Sequence, residues 1–132
     1  MPSSECPCGS GSAFTSCCGP YLAGDASAPT AVALMRSRYC AYVSGDEAYL
    51  LDTWHPSTRP DVLNLDSGQT PTWIGLKVVA GHGGGSADTE GSVEFVARYK
   101  INGKAHRMRE TSRFVKDQGR WFYLDGDVDS QR

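Results

Sequence analysis

Four of the chain's five cysteines lie within thirteen residues near the N-terminus, and this cluster constrains the fold more than any other stretch. Cys6 and Cys8 flank a proline, and Cys17 and Cys18 follow a loop of glycine and serine. Alternate residues of an extended chain point to one side, so the first two sulfurs can face the same point. Pro7 stiffens that geometry because its ring fixes φ. The pattern predicts a closed set of four thiolates, which is typical of a structural zinc site.

The loop between the two cysteine pairs is predicted to fold tightly. Gly9 and Gly11 permit backbone conformations that a Cβ would forbid. We expect Ser12 to cap a single helical turn that brings Cys17 back toward the first pair. We expect Gly19-Pro20 to end that turn.

Four thiolates around Zn²⁺ carry a net charge of about −2, which needs compensation. No lysine or arginine precedes Arg36 in the chain. We expect backbone N–H groups of the glycine-rich loop and of the short helix to supply positive potential. A basic residue from later in the chain, folded over the site, is the alternative.

The composition of the whole chain bears on how the cysteines are used. The 132 residues suit one domain with a small appendage, and the formal net charge of −2 gives no reason to expect a polyanionic partner. No apolar run approaches the roughly 18 residues of a membrane span. The N-terminus lacks the basic start and apolar core of a signal peptide. We therefore predict a cytoplasmic protein, whose thiols are mostly kept reduced.

A disulfide, a redox dithiol and a phosphate cradle compete with a metal site as roles for this segment. The disulfide is disfavoured because the compartment is reducing and adjacent cysteines bond to each other with difficulty. A redox dithiol normally has the spacing C-x-x-C, whereas this chain has C-x-C. A phosphate cradle at residues 9–12 lacks the Walker lysine and a preceding strand. Metal ligation is favoured, with zinc ahead of iron, although the sequence leaves both open.

The spacing of the four cysteines resembles the SEC-C motif, the small zinc-binding module at the C-terminus of the SecA translocation ATPase. That motif closes with Cys-His or Cys-Cys, and this chain has the Cys-Cys form. The resemblance implies Zn²⁺ bound by Cys6, Cys8, Cys17 and Cys18. It also implies a protein partner, because the SecA module contacts a chaperone and lipid. The lack of basic residues before Arg36 argues against an anionic lipid or an acidic partner here.

A helix is predicted after a small-residue linker at residues 25–29. Apolar side chains recur at helical spacing over residues 31–43, with Thr30 before them and Gly45 as the stop. Cys40 lies within this helix. We predict that it is a small core residue away from the cysteine cluster.

A second helix is predicted over Glu47–Trp54, capped by Asp46 and ended by His55-Pro56. The stretch Trp54–Pro60 combines an aromatic residue, a histidine and an arginine with two prolines. It is either a rigid corner with Trp54 in the core or the rim of a pocket, and we favour the corner.

Alternating apolar residues in the second half predict an antiparallel sheet of four strands. These strands cover residues 73–80, 93–101, 104–115 and 121–124. The first is predicted to turn Ile74, Leu76, Val78 and Ala80 to one face. A flexible loop over Gly81–Ser86 would leave His82 exposed to solvent, and Asn102-Gly103 is a strong hairpin signal.

The third strand separates polar residues onto two faces. An outer basic face collects the cationic residues Arg98, Lys100, Arg107, Arg109 and Arg113. No aromatic residues interleave with these charges, so we expect a solvated face and no nucleic-acid partner. The inner face carries His106, Met108, Glu110, Ser112 and Phe114.

Polar side chains on an inner face must be paired or line a cavity. The candidate residues for a small-molecule pocket are Trp54, Trp73, His106 and Glu110. Glu110 is the candidate for a desolvated general base. No second catalytic partner is fixed by spacing, so we favour a satisfied polar group over an enzyme.

Helices followed by an antiparallel meander indicate an α+β fold. This pattern and four stretches of sequence resemble the YchJ (UPF0225) family, and the resemblance covers nearly the whole chain. The four stretches are Ala33–Tyr39, Thr53–Pro60, Val93–Tyr99 and Gly119–Trp121. That family joins a SEC-C motif to an NTF2-like domain, in which helices pack on a curved antiparallel sheet. The resemblance implies a SEC-C module over residues 1–24 and an NTF2-like domain over 25–132.

NTF2-like domains include isomerases, hydratases and plain binding modules, so the fold leaves function open. The first hypothesis is a cytosolic adaptor or ligand-binding module with a structural zinc site. The second is a small enzyme of isomerase or hydratase type that uses Glu110 in an aromatic-lined pocket.

Overall fold

The computed structural model of the chain describes residues 6–8, 12–24, 26–60, 72–85 and 87–131. A single turn of 3-10 helix at Phe14–Ser16 precedes the regular elements. These elements, in chain order, are helices α1 (Gly19–Leu22), α2 (Ala31–Ser44) and α3 (Glu47–Asp52), and strands β1 (Thr72–Gly83), β2 (Glu90–Ile101), β3 (Lys104–Asp117) and β4 (Arg120–Gln131). None of the helices among these residues is long and apolar enough to cross a membrane.

The four strands form one antiparallel sheet in the order β1-β2-β3-β4, so every strand pairs with its neighbour in sequence. Two-residue loops join the later strands. Asn102 and Gly103 have φ of 52° and 79°, and Gln118 and Gly119 have φ of 52° and 78°. Two successive loop residues with positive φ match the twist of the strands in a hairpin. The Asn-Gly sequence therefore predicted the first loop correctly.

The strands are longer than the sequence predicted. β1 continues through Gly83, so His82 pairs with Ser92 in the ladder instead of lying in a loop, although its side chain is exposed as predicted. β4 runs from Arg120 to Gln131, well beyond the four residues with apolar alternation. Both β1 and β4 pair with a long neighbouring strand. The hydrogen bonds of this pairing extend them into segments whose local β-propensity is too weak to predict a strand.

Two irregularities interrupt the alternation of β1, and Ile74 does not share the face on which Leu76 and Val78 pack against the core. The register with β2 shifts between Trp73 and Gly75 and again between Val78 and Ala80. Each shift leaves one unpaired residue, and these residues, Ile74 and Val79, are 48% and 44% exposed. Bulges of this kind re-aim side chains, so Trp73 faces the core and Ile74 does not.

Helix α2 supplies the centre of the core, and its ends match the sequence prediction. The Thr30 hydroxyl accepts a hydrogen bond from Ala33 N–H at 3.1 Å, and Gly45 closes the helix with φ of 74°. The buried side chains that pack between α2 and the sheet are Leu34, Met35, Tyr39, Val93, Phe95, Ala97, Phe114 and Trp121.

Helix α3 is shorter than predicted. Asp46 caps it as expected, accepting from Tyr49 N–H at 3.1 Å, but the helix ends at Asp52. The next residues run beside β4: Tyr123 N–H donates to the Thr53 carbonyl and His55 N–H to the Tyr123 carbonyl, both at 2.8 Å. The stretch after α3 is thus a corner attached to the sheet.

The N-terminal turn is built differently from the prediction. The 3-10 turn is capped by Ala13, with no side-chain hydrogen bond at the cap, so Ser12 does not have the predicted role. Gly19-Pro20 begins α1 instead of ending a helix, because proline at the first turn needs no N–H partner. A Cβ on Gly19 would lie 2.8 Å from the Phe14 carbonyl oxygen, so this close approach requires glycine.

Candidate functional site: a cysteine site and a cavity on either side of helix α2

The four clustered cysteines converge on one point. Their sulfur atoms all lie within 4.8 Å of one another, and none of the chain's cysteines is in a disulfide. The Cys8 and Cys17 sulfurs are 3.6 Å apart, and those of Cys17 and Cys18 are 3.9 Å apart. Four sulfurs bound tetrahedrally at about 2.3 Å from a Zn²⁺ ion are about 3.8 Å apart, so this donor set fits a metal ion. We call Cys6, Cys8, Cys17 and Cys18 the cysteine site.

The cysteine site is part of the main core. Cys6, Cys8 and Cys18 are at most 3% exposed and belong to the same cluster of buried side chains as α2 and the sheet. Cys17 is the half-buried member. The site is therefore packed into the domain, and its loss would open the core.

Burial and hydrogen bonds between sulfurs raise the pKa values of two members of the site, Cys6 and Cys18. Burial raises the pKa of Cys6 to about 12. A hydrogen bond with Cys40, together with burial, raises the pKa of Cys18. A metal ion must displace these protons to bind, so metal binding is coupled to proton release.

A basic residue does fold over the site, as the sequence left open. One guanidinium nitrogen of Arg36 donates to the Cys8 carbonyl at 2.8 Å and lies 3.7 Å from the Cys8 sulfur. Arg36 comes from α2, so the helix provides positive charge beside four thiolates.

The prediction that Cys40 lies away from the cluster is wrong. It is buried on α2, four residues after Arg36, and its sulfur is 3.4 Å from that of Cys6. Residues four apart share a helix face, so the same face of α2 presents a cation and a fifth thiol to the cysteine site.

A cavity of about 260 Å³ lies beside α2, between the helix and the sheet. Its walls are mostly aromatic and aliphatic, with three polar side chains among them. The lining residues are Met35, Arg38, Tyr39, Tyr42, Trp73, Phe95, Ala97, Met108, Glu110, Ser112, Phe114 and Tyr123. An apolar cavity with a few convergent polar groups is the usual form of a small-molecule site.

Arg38 is the residue of this cavity that sequence reasoning missed. It is 5% exposed, and one of its nitrogens donates to the Leu50 carbonyl at 2.8 Å and to the Thr53 hydroxyl at 2.7 Å. Its guanidinium carbon lies 4.5 Å from the ring centroid of Tyr123. Burial lowers the pKa of Arg38, and the neighbouring phenols and Glu110 oppose this shift. Its place on the apolar stripe of α2, three residues after Met35, was the available signal.

Glu110 lies in the cavity wall, as predicted. Ser112, two residues along the same face of β3, donates a hydrogen bond to its carboxylate. A Cβ on Gly126 would lie 2.6 Å from the same carboxylate oxygen. Glycine on β4 therefore leaves the space in which the carboxylate sits.

Of the other predicted pocket residues, Trp73 lines the cavity, whereas Trp54 and His106 do not. Trp54 packs edge-on against Tyr123, with ring centroids 4.9 Å apart, and so stands behind the cavity wall. His106 shares the inner face because it pairs with Tyr99, but it is exposed and stacks on that ring at 5.4 Å. His106 therefore lies on the predicted face of β3 but not in the cavity.

The outer basic face carries acidic partners. Arg109 forms an ion pair with Glu94, and Arg113 forms one with Asp125. These pairs reduce the positive potential of the face, which agrees with a solvated surface.

Comparison with known proteins identifies the domain. A family model described as the YchJ middle NTF2-like domain matches residues 30–126. A UPF0225 protein of Chromobacterium violaceum is 59% identical over 125 residues, which cover 93% of this chain and 92% of the relative. A UPF0225 protein of Streptomyces coelicolor is 49% identical over 96% of this chain and 98% of the relative.

Solved structures add the N-terminal segment to the match. The solution structure of a SEC-C motif containing protein from Rhodopseudomonas palustris superposes with a TM-score of 0.80 at 35% identity, over 92% of this chain and 96% of that one. A crystal structure of such a protein from Psychrobacter arcticus gives 0.75 at 28% identity, over 96% of this chain and 84% of that one. Both resemblances drawn from the sequence are confirmed: the chain belongs to the YchJ-like UPF0225 family, with an NTF2-like domain and a SEC-C cysteine cluster at its N-terminus.

Proposed function

We propose that the protein is a small-molecule-binding module in which a zinc ion at the cysteine site holds the N-terminal segment against the domain. The observation that carries the binding function is the cavity of about 260 Å³, with Arg38 and Glu110 set among aromatic walls. A cavity of about 150 Å³ already admits benzene, so this one has room for a bicyclic ligand.

Zinc is favoured at the cysteine site by its ligands and its burial. Four thiolates around one point suit a tetrahedral ion, and a closed set leaves no position for a reacting water. Cys6, Cys8 and Cys18 are buried with the core, so the ion acts through stability. In this proposal the metal takes no part in chemistry at the cavity.

The charges of the cavity define the ligand class. Arg38 is buried and satisfied in part by the Leu50 carbonyl and the Thr53 hydroxyl, while Glu110 is held by Ser112. Because Arg38 and Glu110 carry opposite charges, the cavity has no net charge. A charged ligand would lose its hydration on entry, and neither residue alone would compensate for this free-energy cost. We infer a neutral ligand with an aromatic or aliphatic ring body and one hydrogen-bond donor toward Glu110.

Four compounds that share the indole ring test this proposal. Indole and tryptophol are neutral, tryptamine is cationic and indole-3-acetate is anionic. Tryptophol carries a side chain of similar size to those of the charged pair, so comparing these three compounds varies the charge. Each is titrated into ¹⁵N-labelled protein while amide shifts are followed by NMR. We expect indole to shift the amides of cavity residues on β2 and β3, and tryptophol to bind more tightly than either charged analogue.

A pair of matched variants locates the binding. Ala97→Leu fills space in the cavity, whereas Ala105→Leu makes the same change at an exposed position of the neighbouring strand. We expect only Ala97→Leu to weaken indole binding, with a dispersed spectrum in both. Binding that is insensitive to Ala97→Leu, or an absence of indole shifts in the wild type, contradicts the proposal.

The alternative function is a small enzyme of isomerase or hydratase type with Glu110 as general base. It is favoured by a carboxylate placed in an apolar cavity beside a hydroxyl. Any ligand found by the titrations can be incubated with wild-type protein and with Glu110→Gln, and its own NMR spectrum followed. Conversion by the wild type alone supports the enzyme, and an unchanged ligand supports the binding module.

Two further features stay predictions that rest on the resemblances and the composition. They are a protein partner at the cysteine segment and a location in the cytoplasm. A pull-down with the zinc-loaded chain, compared with Cys8→Ala, would detect a partner that depends on the cysteine site.

A further inference from the structure

A fifth cysteine sulfur lies beside the four of the cysteine site, and a tetrahedral ion uses only four. The fifth belongs to Cys40, which is 2% exposed. Its sulfur lies 3.4 Å from that of Cys6, which is shorter than the 3.6 and 3.9 Å that separate members of the cysteine site. Cys40 is not among the four cysteines whose sulfurs all lie within 4.8 Å of one another, so replacing a ligand requires a shift of its side chain toward the ion.

Cys40 faces the buried part of the site. Its thiol forms hydrogen bonds with the sulfurs of Cys18 and Cys6 and with the backbone of Cys8. Cys17, the remaining member, is half-buried and lies on the short segment between the 3-10 turn and α1. An ion that exchanged Cys17 for Cys40 would keep its three buried ligands.

We propose that Cys40 is an alternative metal ligand, so that the ion is held by Cys6, Cys8 and Cys18 together with either Cys17 or Cys40. This inference rests on the proposed zinc site. With Cys17 bound, Cys40 remains a thiol and donates its S–H to the Cys6 sulfur. In the exchange the bond from the metal to the Cys17 sulfur breaks, the bond to the Cys40 sulfur forms, and the Cys40 proton passes to Cys17.

The two arrangements differ in what holds the metal. Cys17 is the ligand that solvent can reach, whereas Cys40 is fixed in the middle of a fourteen-residue helix. A spare buried ligand would keep the ion in place when the accessible thiol is alkylated. A plain core cysteine would give no such protection, because its only role would be packing.

The first experiment compares Cys17→Ala, Cys40→Ala, the double variant and wild type after loading with Co²⁺, whose visible spectrum reports the number of bound thiolates. We expect both single variants to keep the four-thiolate spectrum. We expect the double variant to lose it, with affinity reduced by more than about 100-fold, since even outer-shell changes cost 10- to 100-fold. Cys8→Ala, which removes a buried ligand, is the control and should resemble the double variant.

Two outcomes of this comparison would contradict the proposals, and they can be told apart. A three-thiolate spectrum in Cys17→Ala, with affinity as low as in the double variant, overturns the exchange and leaves the zinc site standing. Wild-type protein that binds neither Co²⁺ nor Zn²⁺ overturns both.

A second measurement uses wild-type protein and avoids any folding defect of a variant. Zinc-loaded protein is treated briefly with iodoacetamide and examined by native mass spectrometry. We expect a species alkylated once, at Cys17, that still carries its zinc ion. Release of zinc together with alkylation of Cys17 would overturn the exchange.

Discussion

Helix α2 contributes to two regions of the molecule, the cysteine site and the cavity, and two of its arginines mark the difference between them. Arg36 reaches outward over the cysteine site and donates to the Cys8 carbonyl. Arg38, two residues on, is 5% exposed and donates to the Leu50 carbonyl and the Thr53 hydroxyl. Arg36 is a half-buried cation beside the cysteine site, and Arg38 is a buried part of the cavity wall.

The two regions also differ in how the chain assembles them. The cysteine site draws its four main proposed ligands from thirteen consecutive residues, and α2 adds Arg36 and Cys40 beside them. The cavity collects side chains from α2 and all four strands. A change at the cysteine site should therefore act on stability, whereas a change in the cavity should act on binding as well.

The largest effect is expected for Cys8→Ala. Loss of a buried ligand removes the metal, and a ligand present at 1,000 times its dissociation constant contributes about 4 kcal/mol to the free energy of unfolding. Urea unfolding followed by circular dichroism measures the loss. Cys40→Ala is the matched control, because it leaves a similar buried void and retains zinc. Equal urea midpoints for Cys8→Ala and zinc-loaded wild type would show that the cysteine site does not contribute to the stability of the domain.

The two arginines are expected to give the next largest effects. Arg38→Met removes two hydrogen bonds from a buried position and leaves the Leu50 carbonyl poorly paired, which should cost about 3 kcal/mol of unfolding free energy and weaken indole binding. Arg36→Met removes the contacts with the Cys8 carbonyl and sulfur at a half-buried position and should cost about 1 kcal/mol without changing indole binding. Urea unfolding and NMR titration test both, and the reverse pattern would contradict the division between the two regions.

A smaller effect is expected from alkaline pH. Burial, followed by the Glu110 charge, raises the pKa of Tyr123 from 10.0 to about 12. A raised phenol pKa stabilises the fold below pH 10, and this contribution is lost as the pH rises from about 10 through about 12. Tyr123→Phe should therefore lose less stability over that interval than wild type. An equal loss of unfolding free energy in the two proteins between pH 10 and about 12 would show that ionisation of the Tyr123 hydroxyl does not cause it.

The smallest effect is expected for His106→Ala. The side chain is exposed and stacks only on Tyr99 among the described ring contacts, so unfolding free energy should change by no more than about 0.5 kcal/mol. Indole affinity should stay the same, in contrast to Trp73→Ala, which removes a cavity wall. A marked loss of binding in His106→Ala would place that residue in the cavity after all.

Sequence reasoning worked where a feature is local. The cysteine spacing, the Thr30 and Gly45 ends of α2 and the Asn102-Gly103 hairpin each depend on a few adjacent residues. The alternation in β3 also placed Glu110 and Ser112 correctly, since strand geometry fixes which residues share a face.

Sequence reasoning failed where tertiary packing decides. Cys40 is 34 positions from Cys6 and touches it only because α2 packs over the cysteine site. Arg38 enters the cavity wall through partners on α3 and β4 that no spacing reveals. The bulge turned Ile74 away from the face it was predicted to share with Leu76 and Val78, because one unpaired residue shifts the alternation that the prediction assumed.

The central claim is that the cysteine site holds a zinc ion, and the metal content of the purified chain tests it most directly. Protein prepared in reducing buffer without added metal is analysed by inductively coupled plasma mass spectrometry, with protein concentration determined independently. We predict about one zinc per chain, retained in Cys40→Ala and lost in Cys8→Ala. Wild-type protein that is folded and free of metal, or that carries iron in place of zinc, would contradict the claim.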